Sequence, residues 1–449
     1  MKRAHTVISK AVSIMLVLIL SIGLTACGSG NNGSKGSNEP ENKPSNGGTA
    51  TEAPAKNVEL TFWNIWNGSD AYMGVLNDKV SEFQQENPNI KVKIEQMPHD
   101  QYKLKLKASA AGRQLPDMFV VWPGAELKPM VDGNTVLPID DLAAEYKDKL
   151  IPSANLIDYQ IDGKQYAIPN IVVYTHMIYY DKDILAKAGY SEFPKTYTEF
   201  KEMVVKVRDL GVTPIALGNK GQWVLQSCYI STIGDRMTGS DFLVKAMSGE
   251  KKFTDPEFVG GLNVIKELTD LKAFNEDLNT IDNNQHLDYF VQGKAAMFVE
   301  GTWSLGGVQE KLPKDRNLGL AIFPAIEGGA GNPQALSGVT GQGVAINKDI
   351  DPAKLDAARQ FIRFLSSEDT YNRLLAKDQL VPATVTVPSD ASDTLKQLIS
   401  LTSGGVAPVY DAVLTPQLTE IINNGLQSIT MGTKSPEEVA SELEAAKAK

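Results

Sequence analysis

The stretch VELTFWNIWNGSDAYMGVLNDKVSEFQQENPNIKVKIEQ, Val58 to Gln96, decides the fold. Val58 to Trp63 alternates in polarity and is rich in strand-forming residues, so it reads as a strand. Apolar residues then recur at Val75, Leu76, Val80 and Phe83, the spacing of a helix that runs to Glu86. Asn87-Pro88 stops it, because the residue before a proline is driven out of helical conformation. Ile90 to Gln96 alternates again. Further out, Tyr102 to Ala111 reads as a helix and Met118 to Val121 as an apolar strand. Strand, helix, strand, helix, strand in succession predicts a mostly parallel sheet with helices on both faces.

The same pattern restarts later. Met177 to Tyr180 reads as a strand, Asp183 to Ala188 and Thr198 to Leu210 as helices, and Pro214 to Leu217 as a short strand. Leu262 to Leu271, Leu355 to Leu365 and Thr415 to Gln427 are helical in spacing. Ala295 to Val299, Leu318 to Ile322 and Gly343 to Ile346 are strand-like. Two α/β units thus share one chain, with no Pro/Gly-rich linker between them. The reading is an α/β protein of two lobes joined by crossing segments, and 449 residues suffice for both.

The first residues are an address. Met1 to Lys10 is basic, and Ala11 to Leu24 is apolar but too short to span a bilayer comfortably, which is the pattern of an export signal. Leu24-Thr25-Ala26-Cys27 resembles the bacterial lipobox. That resemblance implies cleavage before Cys27, diacylglycerol on its sulfur, and residence on the outer face of a cell membrane. Residues 28–57 are Gly, Ser, Asn and Pro with almost no large apolar side chain, the composition of a flexible tether.

The formal net charge is −10, and residues 1–26 add only the positive Lys2, Arg3 and Lys10. The rest of the chain is therefore more acidic still, which disfavours nucleic acid and points to a ligand that is not strongly anionic. The seven Arg beyond residue 26 are scattered, so no phosphate cluster is visible. Cys228 has no disulfide partner once Cys27 is lipidated, and reads as a buried small side chain. His99, His176 and His286 are too far apart for a metal site, and neither metal nor cofactor is expected. His99-Asp100 is a loop near any cleft rim, and Lys103 to Lys107 a solvated helix face.

Five Trp remain for chemistry: Trp63, Trp66, Trp122, Trp223 and Trp303. Each lies at or just past the end of a predicted strand, in a polar or Gly-rich context such as FWNIWNGSD or FVEGTWS. Open α/β sheets bind ligands outside the carboxyl ends of their strands. Indoles offer flat apolar faces to the C–H patches of a sugar, while flanking Asn, Asp, Glu and Gln can meet its hydroxyls. At least three of the five are expected on a common cleft. Trp63 is the weakest of them, since it can simply complete the first strand.

These features resemble a known family, the extracellular solute-binding proteins of group 1, the maltose-binding-protein-like receptors of ABC sugar importers. The most specific segment is Phe290-Val291-Gln292-Gly293-Lys294-Ala295-Ala296-Met297 followed by Gly301-Thr302-Trp303. Leu115-Pro116-Asp117, Gly163 to Pro169, Phe193 to Thr196, Gly341 to Ile346 and Val381-Pro382-Ala383 stand in the matching order, so the likeness runs from about Val58 to about Ala440. It implies a two-lobed flytrap with crossovers near Ile171 to Thr175, Leu336 to Thr340 and Ser366 to Asp369. The lobes would be 58–171 plus 337–367 and 172–336 plus 368–449. Carried over by position, the ligand-binding residues are Trp66, Asn67, Asp70, Trp122, Glu300 and Trp303. Trp223 is a further candidate, and Tyr410 the nearest match to a cleft aromatic that some relatives carry.

The expected function is capture of a carbohydrate, an oligosaccharide in particular, and its delivery to ABC permease subunits by a monomer held to the membrane through Cys27. It is not expected to be an enzyme. Two rivals are a sensor of the same fold and an exported glycosidase. The latter needs two carboxyls across the scissile bond, for which Asp70, Glu126 and Glu300 could be nominated.

Overall fold

The computed structural model describes residues 57–66, 71–150, 156–339 and 341–447. The expected signal peptide, Cys27, the tether, Asn67 and Asp70 lie outside them. All that follows concerns the unit from Ala55 onward.

Each lobe is built on one sheet. The first has five strands, in the order Ile90–Gln96, Val58–Asn64, Met118–Val121, Gly343–Ile346 and Ala167–Pro169. Val58–Asn64 pairs parallel with both neighbours, whereas Gly343–Ile346 runs antiparallel to both of its own. The second has four strands, in the order Leu318–Ala321, Met177–Asp181, Ala295–Glu300 and Thr213–Ala216, with a single parallel pair. The sheets are therefore mixed rather than mostly parallel. Local periodicity marks a strand but not its direction, and the late strand Gly343–Ile346 enters the first sheet against its neighbours.

Local chemistry fixes where the helices begin. Helix Tyr197–Asp209 opens with a capping box of Thr196 and Glu199, and Asn283–Val291 with one of Asp282 and Gln285. Helix Pro416–Thr430 places proline in its first turn behind the cap Thr415, where a missing N–H costs nothing. The Asn87 side chain donates to the Phe83 carbonyl at the end of helix Ala71–Glu86, supporting the stop expected at Asn87-Pro88.

The lobes meet through a small third sheet. Val173–Tyr174 runs antiparallel to Leu336–Val339, which also pairs with Val406–Ala407. Buried hydroxyls tie this sheet to the second lobe. Thr175 Oγ1 lies 2.6 Å from Ser337 Oγ and donates to the Ser227 carbonyl at 2.6 Å, while Thr232 Oγ1 lies 2.7 Å from the same Ser337 hydroxyl. Ser227 belongs to a wide π-helical turn, Leu225–Ile230, all of it buried. His176 Nδ1 lies 2.5 Å from the Cys228 carbonyl of that turn, and its Nε2 accepts the Phe323 N–H at 3.1 Å. The proton thus sits on Nδ1, and burial pushes the imidazole pKa down to about 3. Cys228 is wholly buried, and its thiol is raised well above the usual range by that burial.

Helix Glu368–Leu375 packs on helix Ala71–Glu86, with Lys79 Nζ 2.9 Å from Asp369 and Arg373 Nη1 2.6 Å from Glu82. Ala383 bridges Leu150. Helix Glu368–Leu375 and Ala383 thus contact the first lobe, whereas Asp378 accepts from Gln309 and Gln397 donates to the Leu320 carbonyl, both on the second.

Candidate functional site

Four strands deliver four indoles to one place. Trp66 follows Val58–Asn64, Trp122 follows Met118–Val121, Trp223 follows Thr213–Ala216, and Trp303 follows Ala295–Glu300. All four border a single cavity of about 390 Å³. Trp63 does not. It is a buried residue of the first strand, with the Lys105 ammonium 3.8 Å above its ring.

Buried tyrosines hold the loops that carry these rings. Tyr102 Oη donates to the Val120 carbonyl at 2.6 Å, Tyr159 to Gly341 at 2.9 Å and Tyr179 to Gly301 at 2.9 Å. Each bond satisfies a backbone carbonyl at a strand end or in a site loop that the ladder leaves over. Thr302 links the last of these loops to the crossover, because its N–H donates to the Tyr174 carbonyl at 2.9 Å. Gly301 has a steric role as well. A Cβ there would sit 1.9 Å from Trp303 Cζ3, so the indole can fold back only over a glycine. The G-x-W spacing read from the sequence thus has a physical cause.

Two walls face each other. On the first lobe Trp66 lies against Tyr72, with centroids 4.0 Å apart and ring planes tilted by 35°, and Trp122 lies under the Lys103 ammonium at 4.6 Å. On the second, Trp223 and Trp303 are 6.1 Å apart. His99, the first residue of helix His99–Ala111, lies between the walls, 5.3 Å from the Trp122 ring and 4.8 Å from that of Trp223. Burial holds the imidazole of His99 below its ordinary pKa, in spite of the Asp100 carboxylate 2.9 Å from Nδ1. Asp100 is itself held below the usual carboxylate range, by His99 first, and the Trp223 indole contributes. Backbone also meets backbone across the cleft. The Ala125 N–H donates to the Asp411 carbonyl at 3.1 Å, and a Cβ on Gly124 would lie 2.6 Å from Ala412 Cα.

Polar groups complete the lining. Gln96, Ser227, Asn283 and Gln342 face the space, with Lys103 and Asp411 as the oppositely charged groups beside them. Glu300 is not among the side chains that border this cavity. It is buried, accepting from Asn283 Nδ2 at 2.8 Å and from the Ser304 hydroxyl, with His286 Nε2 at 3.3 Å. His286 Nδ1 accepts the Gly218 N–H, which puts the ring proton on Nε2, facing the carboxylate. Burial pushes the Glu300 carboxyl up. His286, Ser304 and Asn283 more than offset this and hold it below the usual range. Its role is to position Asn283 and the loop bearing Trp303. Tyr410 is likewise buried, stacked on Phe258, while its neighbours Val409 and Asp411 reach the cavity.

Sequence reasoning missed several lining residues. Lys103, expected on a solvated face, borders the cavity; His99, expected in a loop near the cleft rim, also borders it but begins a helix. Tyr72 and Asn283 line it too, without any signal in the sequence. Gln342 could have been found, since it is the side chain between the glycines of Gly341-Gln342-Gly343.

This geometry can be set beside known proteins. A profile of the bacterial extracellular solute-binding proteins matches residues 67–372. An uncharacterised ABC transporter extracellular-binding protein of Pyrococcus horikoshii is 25% identical over 395 residues, covering 86% of this chain and 82% of that protein. The maltotriose-binding protein of Pyrococcus abyssi is 25% identical over 336 residues, covering 73% and 66%. Among solved structures, a chitin oligosaccharide binding protein superposes with a TM-score of 0.80 at 23% identity, over 87% of this chain and 98% of that one. The two-lobed fold, its indole-lined cleft and the span of the profile agree: the chain belongs to the bacterial extracellular solute-binding proteins, in their maltose-binding-protein-like branch.

Proposed function

We propose that this protein captures a neutral carbohydrate, an oligosaccharide, between its lobes and hands it to the permease of an ABC importer while tethered to the membrane through Cys27. The observation that carries the reading is the convergence of four indoles, two from each lobe, on one cavity. Covering roughly 100 Å² of one indole face contributes about 2.5 kcal/mol, and three or four such faces supply much of the roughly 8 kcal/mol behind micromolar binding. Amide and hydroxyl groups between the rings suit sugar hydroxyls. Lys103 and Asp411 balance each other, which favours a neutral guest. The relatives whose names mention maltotriose and chitin oligosaccharide point the same way.

Closure is hinge motion about the third sheet, the lobes being held open or shut by whatever guest touches both walls. The protein acts as a monomeric receptor with no reaction of its own. The test is a thermal-shift screen against chitin oligosaccharides, maltodextrins and xylo-oligosaccharides, with small-angle scattering on any hit. Ligand at about a hundred times Kd should add about 2.7 kcal/mol of stability, and the radius of gyration should shrink or stay closed. No stabilisation by any glycan, with stabilisation by a charged solute instead, would refute the reading.

A further inference from the structure

At two places on the rim of the cleft, one lobe touches the other directly. At the first, Gly124 of the first lobe lies against helix Tyr410–Val413 of the second. A Cβ there would meet Ala412 Cα and the Ala412 carbonyl oxygen at 2.6 Å, and the neighbouring Ala125 N–H donates across to the Asp411 carbonyl at 3.1 Å. At the second, Asp100 of the first lobe lies over Gly221 of the second. A Cβ on Gly221 would meet Asp100 Oδ2 at 2.6 Å, and Cγ and Oδ1 at 3.0 Å. Gly124, Ala412, Asp100 and Gly221 do not border the indole-lined cavity.

Each partner is fixed by its own lobe. The Gly124 carbonyl accepts from the Lys128 N–H at 3.0 Å, and the Tyr410 N–H donates to the Ser231 hydroxyl at 3.1 Å. On either side of Gly221, the Lys220 N–H donates to the Ile281 carbonyl at 3.0 Å and Gln222 Nε2 to Gln427 Oε1 at 2.7 Å. Asp100 Oδ1 lies 2.9 Å from His99 Nδ1. An added methyl therefore meets atoms that are held in place. At Gly124 those atoms are backbone. At Gly221 a turn of the carboxyl about its own axis leaves Cγ where it was, still too close.

The two glycines differ in one respect. Gly124 has a φ of 68°, which favours glycine by itself. Gly221 is not among the residues of positive φ, so its own backbone accepts any residue, and the missing side chain serves the approach of Asp100. Contacts of this kind exist only while the lobes are together. They favour the closed form whatever the guest, and a guest that needs the closed form binds with an affinity scaled by the fraction already closed.

We infer that Gly124 and Gly221 form a pair of rim latches: their missing side chains let the lobes dock on each other, so that the closed form is populated before a guest arrives and affinity is set partly by residues that touch no guest. The inference concerns the chain's own contacts and goes beyond the carbohydrate reading, since it holds for any guest.

The experiment compares the full chain as wild type, Gly221→Ala, Gly124→Ala, Asp100→Ala and the double variant of Asp100 and Gly221. Small-angle scattering is recorded without sugar, calorimetry with a glycan that binds, and urea unfolding checks the fold. The ligand-free radius of gyration of Gly221→Ala should exceed that of wild type, and its affinity should fall about tenfold or more at an unchanged urea midpoint. Gly124→Ala should behave likewise. Its positive φ strains an alanine in open and closed forms alike, which lowers the urea midpoint but cancels from binding. Asp100→Ala removes the atoms that the new methyl would strike, so in that background Gly221→Ala should cost less than about twofold. A fault confined to the Gly221 loop would cost the same in both backgrounds. That result, or ligand-free dimensions equal in wild type and both glycine variants, would overturn the latches. If no glycan binds the wild type, the carbohydrate reading fails by itself, and the ligand-free scattering still decides this one.

Discussion

The two walls of the cavity use the same side chain and are held by different physics. On the first lobe, Trp66 rests on Tyr72 and meets Phe62 at 6.3 Å, and Trp122 is met by the ring of Tyr102 at 6.1 Å. These are contacts between rings, which weaken by degrees when one atom is removed. On the second lobe, the loop bearing Trp303 stands on the buried polar group of Glu300, His286, Ser304 and Asn283, and on the absent side chain of Gly301. A buried network loses far more than one bond when a member is deleted, because the remaining groups are left unpaired in a medium of low dielectric. The second wall should therefore be the brittle one.

Glu300→Ala is the most damaging way to probe this. The donors on His286, Ser304 and Asn283 then lose their shared acceptor, at about 1–3 kcal/mol for each one left unpaired, read as a drop in the urea midpoint. An equal or larger loss from Tyr72→Ala would break the comparison. Gly301→Ala follows. Its Cβ takes the place of the Trp303 ring, so binding should lose the contribution of one indole, about 2.5 kcal/mol or roughly seventyfold in affinity by calorimetry. Affinity kept within a factor of about two would mean that Trp303 does not contact the guest.

Acid offers a third probe. The folded pKa of His176 lies below its unfolded value of 6.5, so the unfolded chain binds the extra proton first. Its contribution to stability is complete above about pH 6.5 and is lost as pH falls from there toward 3, at up to about 1.4 kcal/mol per unit. His99 is shifted in the same direction, and the depressed carboxyl of Glu300 extends the loss to pH values below the ordinary carboxylate range. Urea titrations from pH 7.5 to 4.5 should show this slope, and His176→Gln should flatten it. A slope unchanged in the variant would remove His176 from the account. The smallest effect is expected on the packed wall. Tyr72→Leu removes one ring pair, about 0.5–1.5 kcal/mol, which calorimetry should read as a loss of affinity of a few fold.

The same contrast explains what the sequence could reveal. Trp66, Trp122, Trp223 and Trp303 were legible because each follows a strand whose alternation or apolar run is local. Strand ends in such folds open onto the cleft. Gly301 was legible as part of a motif, although its reason, the ring folded over it, needs three dimensions. Strand direction was not legible, so the antiparallel strand Gly343–Ile346 went unanticipated. Glu300 was placed by analogy with its neighbour Trp303, yet a strand residue three positions earlier faces inward and finds His286 from another helix. Lys103 reads as a surface residue, because only the approach of the second lobe converts that helix end into a cavity wall. Helix Glu368–Leu375 is tied to the first lobe by Lys79 and Arg373, long-range ion pairs that no local pattern announces.

The most direct test of the central claim is a tryptophan scan by isothermal titration calorimetry with the tightest-binding glycan, each of the five residues replaced in turn by Leu. Trp66→Leu, Trp122→Leu, Trp223→Leu and Trp303→Leu should each weaken binding about tenfold or more, while Trp63→Leu, whose ring lies away from the cavity, should bind as wild type does. Losses confined to the tryptophans of one lobe, or a loss at Trp63 equal to the others, would contradict a guest held between both walls.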